Sequence, residues 1–286
     1  MVSKNIDLSK LSLSEIDNFV FDLDGTLLNS NSELINENLE TIKKLQSLGK
    51  NIIIATGRPL YTAKRIIEQI NTKFPVILAN GALIWDVLND RLFKSFAIEK
   101  SIAKSIYKKL NDENYEFLTY VPGYILGHNT FRTDFFEKKN YKERIGASHY
   151  IEGDLTNEIQ NYDACKFYIV KESNNESKWK ELQKFLKDIN GIHALVSEWP
   201  NLDVMSNDAS KGNALRFLFN EFNLDLNKTI SFGDAENDVS MFSVTKFSGS
   251  FSNTRHKDVV AKAKIVFESN NIPWLTQFIT KIQNNK

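Results

Sequence analysis

The feature that most constrains the fold is a set of short apolar segments without the polar–apolar alternation of a half-exposed strand. Residues 18–21, 51–55 and 75–79 are such segments, and a helix-like stretch separates each from the next. An unbroken apolar run of this length is typical of a strand that is buried on both faces of a sheet. Strands that alternate with helices at this spacing predict an α/β fold with a parallel sheet.

The pattern changes between about residues 90 and 200, where the predicted strands are shorter and alternate, and it returns after Asp203. We therefore predict an N-terminal extension over residues 1–17, a core formed by residues 18–88 and 203–286, and a second α/β domain inserted at residues 89–202. Seven aromatic residues cluster in this insertion, and we interpret them mainly as its core: Phe117, Tyr120, Tyr124, Phe131, Phe135, Phe136 and Tyr141.

Charge and cysteine content argue against several classes of function. Lys and Arg together number 36, as do Asp and Glu, so the formal net charge of zero gives no general attraction to nucleic acid or anionic membranes. The single cysteine, Cys165, excludes an intramolecular disulfide and a zinc site of the Cys/His type. No stretch approaches the ~20 apolar residues of a spanning helix. We expect a soluble cytoplasmic protein with neither a nucleic-acid nor a membrane partner.

Four polar segments carry the residue types suited to chemistry, and three of them directly follow a predicted buried strand. Open parallel sheets bind ligands where the carboxyl ends of their strands meet, so these segments are predicted to converge on one site. Lys211 instead begins a predicted helix, with Ser210 as its N-cap. In chain order the segments are Asp22-Leu-Asp-Gly-Thr26, Thr56-Gly57, Lys211-Gly212 and Gly233-Asp-Ala-Glu-Asn-Asp238.

These residue types together indicate phosphoryl chemistry. Hydrolysis of a phosphate monoester needs on the order of 20 kcal/mol of catalysis, which a carboxylate nucleophile supplies in part by splitting the reaction into two steps. A second carboxylic acid can protonate the leaving oxygen and later deprotonate water. Mg²⁺ takes hard oxygen ligands, and a lysine, a hydroxyl and backbone N–H groups can hold the phosphate oxygens.

The same segments resemble the motifs of a known family. Residues 19–28, Phe-Val-Phe-Asp-Leu-Asp-Gly-Thr-Leu-Leu, are similar to the first motif of the haloacid dehalogenase superfamily. The other segments resemble the remaining motifs of its Cof-like phosphatase branch, which carries a type IIB cap. The resemblance implies a Rossmann-like core with an inserted mixed α/β cap domain, and it implies Mg²⁺ as cofactor. The matching segments are Ala55-Thr-Gly-Arg58, Asn80-Gly-Ala82, Ser210-Lys-Gly212 and Gly233-Asp-Ala-Glu-Asn-Asp238.

The resemblance also implies a role for each matching position of the catalytic and metal sites. Asp22 matches the nucleophile and a ligand of Mg²⁺. Asp24 matches the general acid and base, with its backbone carbonyl on the metal, and Asp234 matches the third protein ligand. Lys211 matches the lysine that screens the nucleophile and the phosphate. Asp238 matches an acid that orients Lys211 or the metal-bound waters.

The substrate-binding positions follow from the resemblance in the same way. Thr56 and the N–H group of Gly57 match the site that binds a phosphate oxygen, and Asn237 matches a further phosphate contact. Arg58 and Asn80 are candidate substrate contacts. The full set of expected substrate- or phosphate-binding residues is Leu23, Thr56, Gly57, Arg58, Asn80, Lys211 and Asn237.

The expected function is Mg²⁺-dependent hydrolysis of small phosphorylated metabolites, mainly sugar phosphates with broad specificity, through an aspartyl-phosphate. Two alternatives remain open. A phosphomutase of the phosphomannomutase type would use the same site with another acceptor. A non-catalytic sensor would bind phosphosugars without turnover. We expect a monomer or a weak homodimer.

Overall fold

The computed structural model describes residues 7–138, 140–172, 175–196, 200–283 and 285. None of the helices within these ranges has the length and apolar character that a bilayer crossing requires. The helices of the described chain are α1 (Asn36–Ser47), α2 (Leu60–Ile70), α3 (Lys100–Asp112), α4 (Phe135–Lys138), α5 (Tyr141–Ile145), α6 (Glu176–Lys187), α7 (Lys211–Glu221), α8 (Val239–Phe242), α9 (Lys257–Val260) and α10 (Trp274–Gln283).

The strands form three sheets. In chain order the strands are β1 (Asn18–Phe21), β2 (Asn51–Ile54), β3 (Val76–Leu78), β4 (Leu83–Asp86), β5 (Arg91–Ser95), β6 (Phe117–Val121), β7 (Tyr124–His128), β8 (Tyr150–Glu152), β9 (Lys166–Ile169), β10 (Ile192–Leu195), β11 (Leu202–Ser206), β12 (Thr229–Phe232), β13 (Phe247–Phe251) and β14 (Ile265–Phe267).

The central sheet is parallel and has the strand order β14-β13-β12-β1-β2. Strand β3 continues it through a single parallel bridge between Ala55 and Ile77, and β3 then turns back into the antiparallel strands β4 and β5. The predicted parallel α/β core is therefore confirmed. The sequence did not indicate that the third apolar segment would also open an antiparallel hairpin.

Both faces of the central sheet are buried, as the unbroken apolar segments predicted. On β1, Phe19 and Phe21 pack into one apolar cluster, which includes residues of helices α1 and α10. Val20 points to the opposite cluster, which includes residues of helices α7 and α8. Since alternate residues of a strand point to opposite faces, a strand between two helical layers needs apolar side chains at every position.

The second domain, here called the cap, is built on a six-stranded mixed sheet with the order β10-β11-β9-β6-β7-β8. Its strands pair antiparallel except for β7 and β8, which are parallel. One face of the cap sheet packs on α3 and α6 through residues such as Tyr107 and Trp179. The other face carries Tyr120 and Tyr168, which line the cavity described below. The predicted mixed α/β cap is therefore confirmed, and the predicted boundary at residue 203 falls within β11.

The two ends of the described chain pack against the core. Leu11 and Ile16 are buried, and Ser12 and Glu15 form a capping box on a short 3-10 turn. The side-chain amide of Asn285 donates hydrogen bonds to the carbonyls of Leu8 (2.6 Å) and Leu11 (2.7 Å). Residues 7–17 are therefore part of the packed structure.

Trp274 at the start of α10 links the core to the loop that follows β1. Its ring lies 4.9 Å from that of Phe232 and 5.0 Å from that of Phe251, measured between centroids. The side chain is 1% exposed, and its indole N–H donates to the carbonyl of Thr26 at 3.2 Å. Trp274 thus packs against the aromatic core and also fixes the loop that begins at Asp22.

We predict that Trp274→Ala lowers the free energy of unfolding by about 3–5 kcal/mol, because it leaves a cavity among aromatic rings and removes the donor to Thr26. Trp274→Phe should cost less, since it keeps most of the packing. Urea denaturation followed by circular dichroism measures both. The control is Phe131→Ala, whose side chain is 81% exposed and whose loss should change stability by no more than about 0.5 kcal/mol. Equal midpoints for Trp274→Ala and the wild type would contradict this.

Candidate active site

The register of the central sheet brings the predicted residues to one edge. Phe21, the last residue of β1, lies level with Ile54 of β2 and with Phe232 of β12. The segments that follow these strands therefore begin at the same edge of the sheet, and Asp22 and Asp234 lie just beyond the ends of the neighbouring strands β1 and β12. Convergence at the carboxyl edge of a parallel sheet is what the spacing of the segments predicted.

The turn after β1 depends on Gly25. Its φ of +73° lies in the left-handed region, and a Cβ at this position would stand 2.5 Å from Oδ2 of Asp234. Only glycine adopts this φ without strain and leaves room for the carboxylate of Asp234. This turn buries Leu23 and leaves the side chain of Asp24 at the mouth of the site, 52% exposed.

Lys211 is the central cation of the site. Its Nζ lies 2.6 Å from Oδ1 of Asp22 and 2.6 Å from Oδ1 of Asp238, and the lysine side chain is fully buried. Ser210 caps the helix that presents it, since the serine hydroxyl accepts a hydrogen bond from the N–H of Asn213 at 3.1 Å. Burial alone would lower the pKa of Lys211, but the carboxylates of Asp22 and Asp238 raise it, so the ammonium stays charged.

Asp238 orients both the lysine and the loop after β12. Its Oδ2 accepts hydrogen bonds from the backbone N–H groups of Asp234 (2.9 Å) and Ala235 (3.0 Å), while its Oδ1 accepts from Lys211. Both carboxylate oxygens are therefore engaged within the protein. Asp238 therefore lies beside Lys211, and the orienting role that the resemblance implied for it stays a prediction that this contact supports.

An acidic cluster lies next to this lysine. Asp22, Asp234 and Asp238 each offer a carboxylate oxygen, and these oxygens lie within 4.8 Å of one another. Burial raises the pKa of Asp22 well above its usual range, and burial followed by the charge of Asp238 raises the pKa of Asp234 to about 7. One ammonium does not neutralise three carboxylates, so the cluster suits an added cation.

The donor set fits Mg²⁺, since its donors are hard carboxylate oxygens. Because Asp238 already binds Lys211 and two N–H groups, Asp22 and Asp234 are the carboxylates better suited to hold the ion. The predicted contribution of Asp24 is its backbone carbonyl, which leaves the Asp24 side chain free for another role. The ligand set Asp22, Asp24 and Asp234 stays a prediction that these contacts support.

The carboxylate of Asp24 forms a two-point ion pair with Arg58. The guanidinium Nε donates to Oδ2 of Asp24 at 2.6 Å, and Nη2 donates to Oδ1. Arg58 follows Thr56 and Gly57, and its guanidinium also donates to the carbonyl of Thr62 at 3.0 Å. Arg58, the predicted substrate contact, is therefore paired with Asp24, the predicted acid and base.

The predicted phosphate-binding residues after β2, β3 and β12 lie close to one another. Thr56 is buried, and its hydroxyl accepts a hydrogen bond from the N–H of Arg58 at 3.2 Å. A Cβ at Gly57 would stand 2.6 Å from Oδ1 of Asn80, so that glycine permits the close approach of two loops. The side-chain amide of Asn237 donates to Oδ1 of Asn80 at 2.7 Å. Gly57, Asn80 and Asn237 thus form one contiguous group.

A cavity of about 500 Å³ lies between core and cap, above the acidic cluster. Of the predicted site residues it exposes Asp22, Asp24, Gly57, Arg58 and Asp234, together with Asn237, whereas Thr56, Asn80 and Lys211 lie buried beneath. Further lining residues were not predicted as site residues. Those with polar side chains are Ser32, Thr62, Tyr120, Tyr141, Arg144, Lys166, Tyr168, Arg255 and His256.

A signal for part of this missed set was present in the sequence. Lys166 stands in an otherwise apolar strand, and Tyr168 shares its face two residues later. A charged residue in a buried strand needs a partner, which points to a site. Tyr120 and Tyr141 were interpreted mainly as core of the insertion, but both line the cavity, and their hydroxyl groups hydrogen-bond to each other.

Comparisons with known proteins agree with this geometry. A family model described as haloacid dehalogenase-like hydrolase matches residues 19–275. The chain is 30% identical to protein MG265 of Mycoplasma genitalium, over 90% of this chain and 94% of that protein. It is 28% identical to phosphatase YwpJ of Bacillus subtilis, over 87% of this chain and 94% of that protein. The crystal structure of TM0651 from Thermotoga maritima superposes on this structure with a TM-score of 0.77, over 93% of this chain and 97% of that chain. The two sequences are 26% identical.

The raised pKa of Asp234 predicts how stability depends on pH without a bound cation. Between its unfolded pKa of about 4 and its folded pKa of about 7, the folded state binds more protons, so the free energy of unfolding should fall as pH rises through this window. The raised pKa of Asp22 should add to this fall in the free energy of unfolding with rising pH. Urea denaturation from pH 4 to 8 in EDTA measures this slope. Asp234→Asn should flatten it, whereas the exposed Asp208→Asn should not.

Added Mg²⁺ provides the second half of this test. Because a cation stabilises the ionised carboxylates, Mg²⁺ should raise the melting temperature of the wild type more at pH 8 than at pH 5. Asp234→Asn should lose most of this increase. An identical response of Asp234→Asn and the wild type to Mg²⁺ would contradict the assignment of the cluster.

Proposed function

The chain belongs to the haloacid dehalogenase-like hydrolase family and is a phosphatase, and we propose that it hydrolyses small phosphorylated metabolites with Mg²⁺ through an aspartyl-phosphate on Asp22. The observation that carries the proposal is the contact between Asp22 and Lys211 at the floor of the cavity. A buried carboxylate that is held by one ammonium and faces an open cavity is an oriented nucleophile.

In the first step, an oxygen of Asp22 attacks the phosphorus atom and the ester P–O bond breaks. Asp24 donates its proton to the leaving oxygen, so the alcohol departs neutral. In the second step, water attacks the phosphorus atom of the aspartyl-phosphate, and Asp24 accepts a proton from that water. Phosphate leaves, and the Asp22 carboxylate is restored.

The surrounding residues hold the transferred group. Lys211 screens the charge of Asp22 against the anionic phosphate, and Thr56, Gly57 and Asn237 offer a hydroxyl, an N–H group and an amide to its oxygens. When bound, Mg²⁺ would neutralise charge between the nucleophile and the phosphoryl group, with Asp22, Asp234 and the Asp24 carbonyl as its protein ligands. These roles are supported by the convergence of the residues at one edge of the sheet.

The ion pair between Arg58 and Asp24 gives Arg58 a role as well. Both carboxylate oxygens of Asp24 accept hydrogen bonds from Arg58, so they are not placed to reach a leaving oxygen. An incoming phosphate offers Arg58 another anionic partner, which frees the Asp24 side chain to approach the leaving oxygen. We therefore assign Arg58 to the substrate, with Asp24 as its partner in this structure.

The cavity suits a small polar leaving group. Tyrosine hydroxyl groups and the guanidinium of Arg144 line its cap side. These groups can donate to the hydroxyl groups of a sugar, and the tyrosine rings can pack on its apolar face. We therefore propose sugar phosphates as the principal substrates, with several of them accepted.

We predict that Asp22→Asn lowers turnover by about 10⁴-fold or more, because the amide cannot form the phosphorylated intermediate. Phosphate release from p-nitrophenyl phosphate measures the loss, and circular dichroism checks the fold. The control is Asp17→Asn, which changes a half-exposed carboxylate immediately before β1 that pairs with Lys50 and Lys228. Its turnover should equal that of the wild type. Normal phosphate release by Asp22→Asn would exclude Asp22 as the nucleophile.

We also predict that phosphate release across a panel of sugar phosphates requires Mg²⁺, stops in EDTA and returns when Mg²⁺ is added. Analysis of the products separates the alternatives. A phosphomutase would convert one hexose phosphate into its isomer without releasing phosphate. A non-catalytic sensor would bind the sugar phosphate and release nothing. Either result would contradict the proposed hydrolysis.

A further inference from the structure

The cap contains a buried ion pair that the proposed chemistry does not use. Lys166 of β9 and Asp203 of β11 lie on paired strands, and Nζ of the lysine is 3.0 Å from Oδ1 of the aspartate. The side chains are 3% and 0% exposed. A buried ion pair is a poor source of stability, because removing two charges from water costs about as much as their attraction returns. Its presence in the cap therefore calls for another role.

Both members of the pair reach out of the cap to the core. The ammonium of Lys166 donates to the carbonyl of Gly57 at 3.3 Å, and Oδ2 of Asp203 accepts from the side-chain amide of Asn80 at 2.7 Å. Asn80 in turn accepts from the amide of Asn237 at 2.7 Å. The cap pair thus contacts the loop of Gly57 and the loop of Asn80 directly. Through Asn80 it also contacts the loop after β12, which carries Asn237.

The Asn80 loop has an unfavourable backbone. Ala79, Asn80 and Gly81 have φ values of 49°, 59° and 98°, so three consecutive residues lie in the left-handed region. Such a conformation is costly for alanine and persists only where the surroundings impose it. The backbone N–H groups of Ala79 and Asn80 donate to the core, to the carbonyls of Arg58 and Thr56. The side chain of Asn80 is held from the cap by Asp203.

We propose that Lys166 and Asp203 are positioning residues through which the cap sets the arrangement of the phosphate-binding loops. The pair fixes the carbonyl of Gly57 and the amide of Asn80, and Asn80 then orients Asn237. The loops therefore take their working arrangement only while the cap lies on the core. This inference rests on the proposed phosphate site, and it makes affinity for the phosphoryl group depend on the cap for every substrate.

The test compares Lys166→Met, Lys166→Arg, Asp203→Asn and the double variant Lys166→Met/Asp203→Leu. The double variant replaces the pair with two apolar side chains, so no buried charge is left unpaired and we expect the fold to be kept. The matched control is Lys171→Met, which removes a lysine just after β9 whose Nζ pairs with Glu176 at 2.8 Å. Melting temperatures first identify the folded variants.

Three quantities are then measured with saturating Mg²⁺: kcat, KM and the inhibition constant of inorganic phosphate. Two unlike esters, p-nitrophenyl phosphate and glucose 6-phosphate, serve as substrates. Lys166→Met and the double variant should raise KM for both esters, and the inhibition constant of phosphate, by about 10- to 100-fold. Lys166→Arg keeps the charge, so its KM values and phosphate inhibition constant should stay close to those of the wild type. The same constants should be unchanged in Lys171→Met. The double variant should be no worse than the single variants, because the residues act as one unit.

Two outcomes would overturn the proposal. A folded double variant with the wild-type KM and phosphate inhibition constant would show that the pair serves packing alone. A rise in KM for one ester only, with phosphate inhibition unchanged, would place the pair at the leaving group instead. If the wild type released no phosphate, the proposed function would fail, and calorimetric binding of inorganic phosphate to the wild type and the double variant would still decide this inference.

Discussion

The site depends on the two contacts that the ammonium of Lys211 makes with Asp22 and Asp238. Burial raises the pKa of the Asp22 carboxylate, and the charge of Lys211 opposes that rise. Asp238 holds the lysine while it also accepts hydrogen bonds from two backbone N–H groups of the loop after β12. The nucleophile, its counter-charge and the neighbouring loop are therefore fixed together, and none of them could be moved alone.

Much of the core and its site could be predicted from the sequence because the relevant signals are local. Each buried strand is an unbroken apolar segment, and each proposed catalytic residue lies within a few positions of the end of a strand or the start of a helix. The sheet then converts these local positions into one site, since parallel strands end at a common edge. This is why Asp22, Lys211 and Asp234 could be placed together before any contact was known.

The cap side of the site could not be predicted in the same way. Lys166 and Asp203 are 37 positions apart along the chain, and their contact depends on β9 and β11 being neighbours in a sheet whose order does not follow the sequence. Tyr120 and Tyr141 have an aromatic character that suits a core as well as a cavity, and only the placement of the cap over the core decides between them. The ion pair between Asp24 and Arg58 was missed for a similar reason, since it forms between two loops.

The arrangement of the cap on the core also bears on how such a domain could be exchanged between related proteins. Lys166 and Asp203 both lie on strands of the cap sheet and would travel with a transplanted cap, while Gly57 and Asn80 would remain with the recipient. A chimera would therefore need to match this backbone carbonyl and this side-chain amide, as well as the contacts that Tyr61 of the core makes with Gly123 and His149 of the cap. Because β11 ends five positions before Lys211, the downstream junction leaves little room for linker sequence. Recombination of this scaffold should thus be limited by the length of that junction as well as by the surface of the cap.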